Sequence, residues 1–273
     1  MDITEIIKRA IVFPSKNLEI LSIYAILSVL AGAFAVQGVI TFLFGVIDLA
    51  NFVIGAIYIA IAIIIGIITR SISVQCVKSG IELQDKIPDF KWWGNWGIGL
   101  KKIVIIIFYF IVPALIVVFI GLITNVYGNL INISQALTLQ ISPVLMGNVG
   151  VADAINNAAF PLFVSLAFTL AAGLLIFLVF TFFQVMAEAR LAHTGSLLKA
   201  LNFISAAKDL KMIGLGKVII LSILVLAIVS VIEMVLTFIF DHLVVLSILN
   251  IVITPYIALF GQSALGFLYS DIV

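Results

Sequence analysis

The side chains able to do bond chemistry are few and scattered. The chain has two histidines, His193 and His242, one cysteine, Cys76, and thirteen acidic residues among 273. A zinc-type centre needs three or four converging His, Cys or carboxylate ligands, and two distant histidines do not supply them. No His-Glu-x-x-His, Walker A or Gly-x-Ser-x-Gly pattern occurs. A single cysteine forms no intrachain disulfide, and one in such surroundings reads as a small buried hydrophobe. The expectation is a protein that is not an enzyme and uses neither metal nor cofactor. A Lys or an acid acting on lipid head groups would be the exception, and no pair in the sequence singles itself out.

Glu233 is the one ionisable residue deep inside an apolar run, about seven residues or roughly 10 Å from its end at 1.5 Å per residue. A charge at such depth costs about 2.5–3.5 kcal/mol on insertion scales, so it is expected to face the protein interior or to be neutral. One reading places it in the path of a transported proton, ion or small solute. The other makes it a carboxyl hydrogen-bonded to Ser230, Gln37 or Gln184, fastening helices together. The absence of a cation in any apolar run favours fastening.

These residues are set in a chain that is 64% hydrophobic and 10% charged, with mean hydropathy +1.36. Soluble domains carry about 25% charged residues, so the bilayer must solvate most of this chain. A net charge of +1 argues against a nucleic-acid binder. Apolar runs long enough to cross as helices lie at about 20–46, 50–69, 103–124, 160–186, 218–240 and 243–268. The fold expected is an all-α polytopic transmembrane bundle of about six spans, a single domain over residues 1–273, carrying cytoplasmic interfacial amphipathic helices. Gly32, Gly38 and Gly45 are the candidate bends of the long first span. Ser28 with Gly32, Ala56 with Ala60, and Ala171 with Gly173 suit close helix packing. Pro113, Pro161 and Pro255 lie within or at the ends of spans, where proline is tolerated. The charges and length of the first run favour a retained span over a cleaved signal, despite the small-x-small triplet Ala33-Phe34-Ala35.

All fourteen Lys and Arg fall in three regions: before the first span, between the second and third, and between the fourth and fifth. Lys/Arg bias sets topology, so these regions and both termini are expected in the cytoplasm of a cell membrane. The segment 125–159 then lies outside as a long Asn-rich connection, either along the interface or over the bundle. It carries a glycosylation triplet at Asn132, a pattern that is common by chance.

Each basic region holds a stretch that leads into a hairpin. Ile3, Ile6, Ile7 and Ala10 share one helical face, with Asp2, Glu5, Lys8 and Arg9 turned away and Pro14 closing the helix. In 196–213, Leu197, Leu201, Ile204, Ala207 and Leu210 form one face and Lys199, Asn202, Ser205, Lys208 and Lys211 the other. Ser196 and Gly214 are the expected caps. Such a helix lies in the interface with its lysines toward anionic head groups. The middle region holds Trp92, Trp93 and Trp96, read as interfacial anchors rather than a ligand pocket. Together these read as a threefold pattern, 1–69, 70–186 and 187–273.

Three stretches carry a resemblance. One is Ile87-Pro88-Asp89-Phe90 with Trp92, Trp93, Gly99-Leu100-Lys101, Tyr109 and Pro113. The second is Ala187-Glu188-Ala189-Arg190-Leu191 with Gly195-Ser196, Ala200-Leu201-Asn202-Phe203 and Ile213-Gly214-Leu215-Gly216-Lys217. The third is Thr254-Pro255-Tyr256 with Ala264-Leu265-Gly266 and Tyr269. In these the chain resembles the archaeal multi-pass membrane proteins of domain-of-unknown-function family 4013. That resemblance implies an archaeal membrane location and transfers no catalytic residue. The leading expectation is a structural or accessory membrane protein acting through membrane lipids, a membrane-protein partner or another copy of itself. The alternatives are a small-solute or ion transporter using Glu233 and, behind it, a lipid-modifying enzyme.

Overall fold

The computed structural model describes residues 1–45, 48–87, 96–141, 150–242 and 249–273. Every regular element among them is helical: α1 (Ile3–Val12), α2 (Leu18–Phe44), α3 (Leu49–Ile81), α4 (Trp96–Ile123), α5 (Val126–Ile141), α6 (Gly150–Thr194), α7 (Leu197–Leu201), α8 (Phe203–Ile213), α9 (Leu215–His242) and α10 (Asn250–Tyr269). Six stretches are long and apolar enough to cross a membrane, in α2, α3, α4, α6, α9 and α10. The protein is a multi-pass, all-helical membrane protein.

Several helices outrun the apolar runs. α3 continues twelve residues past the expected end at 69, to Ile81, and α6 continues from 186 to Thr194. Hydropathy ends a span where polar side chains begin. Here Thr69, Ser71, Ser73, Ser79, Gln184 and Glu188 are instead buried against protein, so the helices go on. In five of the six apolar stretches only 11–17% of residues are buried, against half in α10. The outer faces of the spans are left for lipid, and tight packing concentrates in the continuations.

Within the segment 125–159, residues 126–141 and 150–159 are helical. Asn125 takes a left-handed φ of +57° that turns α4 into α5, a conformation Asn tolerates better than most residues. α5 then buries Val126, Asn129 and Ala136 on one face, and α6 begins at Gly150. Asn132 of the glycosylation triplet is exposed on α5.

Packing divides the chain into two compact units, Met1–Ile106 with Phe183–Val273, and Ile107–Phe182. This partition cuts through α4 and α6.

In the first unit α2 and α3 form a tight hairpin. Asp48 caps α3 by accepting from the Ala50 N–H at 3.1 Å, and the Asn51 amide donates to the same carboxylate at 3.0 Å. α2 runs as one continuous helix through Gly38. A Cβ there would come within 2.8 Å of Ile59 Cγ1, so the glycine serves close approach to α3. Gly45 likewise lies against Phe52, while Gly32 meets nothing within 4 Å. α3 crosses α10 at a second glycine contact: a Cβ on Gly80 would lie 2.9 Å from Gly266 Cα. Leu83 (φ +55°) closes α3, with Leu83 N–H donating to Gly80 O and Gln84 N–H to Ser79 O.

α1 follows its expected amphipathic pattern, with Ile6 and Ala10 fully buried. It packs on α10: Tyr256 hydroxyl donates to Ile11 O at 2.5 Å, Ser263 hydroxyl to Ala10 O at 3.4 Å, and the N-terminal ammonium pairs with Asp271 at 2.5 Å. Pro14 opens a short 3-10 turn through Asn17. The buried Asn17 amide donates to Phe13 O and Asp85 O, and its oxygen accepts from Ile87 N–H at 2.8 Å. Beside it, the hydrogen bond from Lys16 holds the Asp85 carboxyl below the ordinary aspartate range.

In the second unit Thr124 and Thr169 hydroxyls lie 2.8 Å apart, and the Asn129 amide donates to Ser165 Oγ at 3.1 Å and Pro161 O at 3.2 Å. Phe110 stacks on Phe177, and Gly173 admits Val117. Pro113, Pro161 and Pro255 all lie inside helices.

Candidate functional site

Two polar networks occupy the interior of the first unit. Gln184 and Glu188 stand one turn apart on α6, so they share a face. Lys102 of α4 pairs with one Glu188 oxygen, and Gln184 donates to the other at 3.3 Å. The Lys102 ammonium also reaches Gln262 Oε1 of α10 at 3.5 Å. The pair is almost fully enclosed, with the Lys102 side chain 2% and the Glu188 side chain 5% exposed. Three helices are therefore tied through one buried ion pair. Its carboxylate oxygens both have partners, so the arrangement fastens helices rather than presenting a free acid.

Two residues along α6, Arg190 faces elsewhere. Its guanidinium takes Asp209 of α8 in a two-point grip, Nε at 2.8 Å and Nη2 at 2.5 Å, and Nη2 also donates to Ser205 O. Tyr269 of α10 donates its hydroxyl to Asp209 Oδ2 at 2.7 Å. Fork-like Arg–carboxylate pairing fixes orientation as well as distance. Here it fixes α8 against α6 and α10. Lys101 donates to the carbonyl of Gly195, which closes α6 at φ +65°. Lys217 pairs with Asp271 and donates to Met1 O.

The amphipathic stretch 196–213 departs from one continuous helix. Asn202 (ψ 100°) separates α7 from α8, and its side chain caps α8 by accepting from Ser205 N–H at 3.1 Å. Ser196 makes no capping bond, whereas Gly214 (φ +94°) closes α8 as expected. The buried face is Ala206, Asp209, Leu210 and Ile213. Of the five apolar residues expected inside, Leu210 is buried, while Ile204 is 69% exposed. The break at Asn202 resets the helical phase, and the demand of Arg190 for Asp209 turns that polar residue inward.

The outward surface is thus mixed. Leu198 (82% exposed), Ile204 (69%) and Met212 (62%) stand among the exposed Lys199, Lys208 and Lys211. None of these lysines makes an ion pair with a described residue.

Trp96 opens α4 half-buried; Trp92 and Trp93 lie outside the described residues. Glu233 is exposed on α9, lining a recess of about 330 Å³ with Thr237, Asn250, Thr254, Leu236 and Ile257. Neither Gln184 nor Gln37 joins it: Gln184 bonds Glu188, and Gln37 bonds Thr41. Cys76 is fully buried, its thiol directed at Leu259 O at 3.4 Å. His193 is exposed in the last turn of α6. Among the described residues no group of three or more His, Cys, Asp or Glu could hold a metal ion.

The buried ion pairs escaped sequence reasoning because their partners lie far apart in the chain, Lys102 with Glu188 and Arg190 with Asp209. The one available signal was the i, i+4 pair Gln184 and Glu188 in a stretch otherwise rich in alanine.

A family model described as Protein of unknown function (DUF4013) matches residues 54–240. No curated protein and no solved structure matches the chain. The chain belongs to the DUF4013 family, and the match covers Lys102, Glu188, Arg190, Asp209 and the whole of α7 and α8.

Proposed function

From that membership, which carries no activity, we propose a non-enzymatic accessory role in the cell membrane. In this reading the chain gathers anionic lipid head groups against its cytoplasmic side through α7 and α8, with both termini on that side. The observation that carries it is the outward surface of these two helices. Leu198, Ile204 and Met212 offer apolar area that a membrane interface would bury, and three lysines without an ion-pair partner among the described residues suit negatively charged head groups. The Arg190–Asp209–Tyr269 contacts support the reading, since they hold α8 in place without consuming the outward charges. A small membrane-protein partner or a second copy would meet the same surface, and neither accounts for the lysines as directly.

The test is lipid retention. Full-length protein is purified from a bilayer mixture of anionic and neutral lipids, and the retained lipid is quantified by mass spectrometry at rising salt. The expected result is enrichment of anionic lipid that declines with salt and falls severalfold in Lys199→Gln/Lys208→Gln/Lys211→Gln. Equal retention of both lipid classes, or no change in the triple variant, would contradict the reading.

A second reading, a small-solute or ion transporter using Glu233, is favoured by the recess that groups Glu233 with Thr237, Asn250 and Thr254.

A further inference from the structure

Glu233 and Thr237 are spaced i, i+4 on α9, and Asn250 and Thr254 are spaced i, i+4 on α10, so each helix offers two oxygen-bearing side chains on one face. The two faces meet in one recess of about 330 Å³, walled by Leu236 and Ile257. The Thr237 hydroxyl donates to its own helix at Glu233 O, 2.9 Å away, which leaves its lone pairs free to accept or to coordinate. No hydrogen bond reaches the Glu233 carboxylate from a described residue. Pro255 has no N–H, so the carbonyl of Ile251 at the same level of α10 lacks its usual helical donor.

The charge balance of this place is unusual. Glu233 lies nine residues before the end of α9, roughly 13 Å along the axis at 1.5 Å per residue. No Lys or Arg among the described residues pairs with Glu233. The carboxylate therefore has no cationic partner among the described residues, and the recess gathers neutral oxygens around it. A hard cation prefers oxygen ligands, and carboxylate, amide and hydroxyl oxygens are the ones collected here. One carboxylate balances one positive charge. A divalent ion would leave an uncompensated charge in a medium where that is costly.

We propose that the recess between α9 and α10 binds a monovalent cation of the sodium or potassium class. Glu233 supplies the charge, and Thr237, Asn250 and Thr254 supply neutral oxygens. The inference is independent of the lipid reading and asks for binding, not flux.

The experiment is thermal unfolding of the full-length protein in neutral-lipid nanodiscs. NaCl or KCl is titrated against choline chloride at fixed ionic strength and pH. A ligand that binds only the folded state raises the midpoint with concentration in a predictable way. The expected result is a rise with sodium or potassium that choline does not reproduce. It should be absent in Glu233→Gln and should need at least tenfold more salt in Thr254→Val. The second variant removes one neutral oxygen at nearly constant shape, so the proposal stays testable should Glu233→Gln fail to fold. Equal responses to choline and to the alkali cations would overturn it, as would a response retained in Glu233→Gln or unshifted in Thr254→Val. A carboxyl that is simply protonated gives the first of these.

Discussion

Lys102 and Glu188 show how a charged residue can sit inside an apolar protein without advertising itself. In the sequence Lys102 is one of a pair of lysines at the edge of a span, and nothing distinguishes it from Lys101. In the structure Lys101 reaches the Gly195 carbonyl at the helix end, while Lys102, one position on and turned by about 100°, enters the interior. A single helical step decides between an interfacial cation and a buried one. Removing one member of such a pair leaves a buried charge without a partner, which typically costs about 3–5 kcal/mol. Lys102→Met is therefore expected to lower stability by about that much, and Lys102→Met/Glu188→Leu to recover most of the loss. Chemical denaturation in detergent measures both. Equal destabilisation by the single and double variants would show that the pair is more than a fastening. Glu233 was legible as an anomaly of depth, but its surroundings were not. They depend on which face of α9 meets α10.

At the level of elements, the spans were legible because length and hydropathy are local properties. Their continuations were not, because what keeps residues 70–81 and 187–194 helical is burial against other helices. The glycines teach the same lesson. Gly32 and Gly38 look alike in α2, yet only Gly38 faces a neighbour. Gly80 and Gly266 lie far apart in the chain, and their contact is invisible until α3 and α10 cross. Gly80→Ala should lower stability by about 1–3 kcal/mol, since its Cβ would press on the Gly266 backbone and overpacking of that kind costs roughly so much. Gly32→Ala meets open space and should leave stability unchanged or raise it by up to about 1 kcal/mol, the helix preference of Ala over Gly. Unfolding midpoints of the two variants, measured side by side, check the contrast. The break at Asn202 also belongs to this scale. Amphipathic spacing identified a helical stretch at 196–213 and its closing glycine, and missed the phase change that puts Asp209 inside and Ile204 outside.

For the molecule as a whole, the distribution of charge and the distribution of packing agree. The densely packed part of the first unit is built from α1, the end of α3, the end of α6, α8 and the end of α10. These carry cations from each of the three basic regions that the sequence assigns to the cytoplasm, among them Lys8, Arg70, Lys78, Arg190 and Lys208. The lipid-binding role proposed for α7 and α8 has meaning only if that side faces the cytoplasmic leaflet. Cysteine labelling in intact cells decides it. Cys76 is fully buried, so the natural chain supplies its own blank. Lys208 and Asn132 are both exposed, so Lys208→Cys and Asn132→Cys give reactive reporters on the two proposed sides. An impermeant maleimide should label Asn132→Cys in intact cells and Lys208→Cys only after permeabilisation. Labelling of Lys208→Cys in intact cells, with Asn132→Cys protected, would contradict the orientation and with it the lipid-binding role.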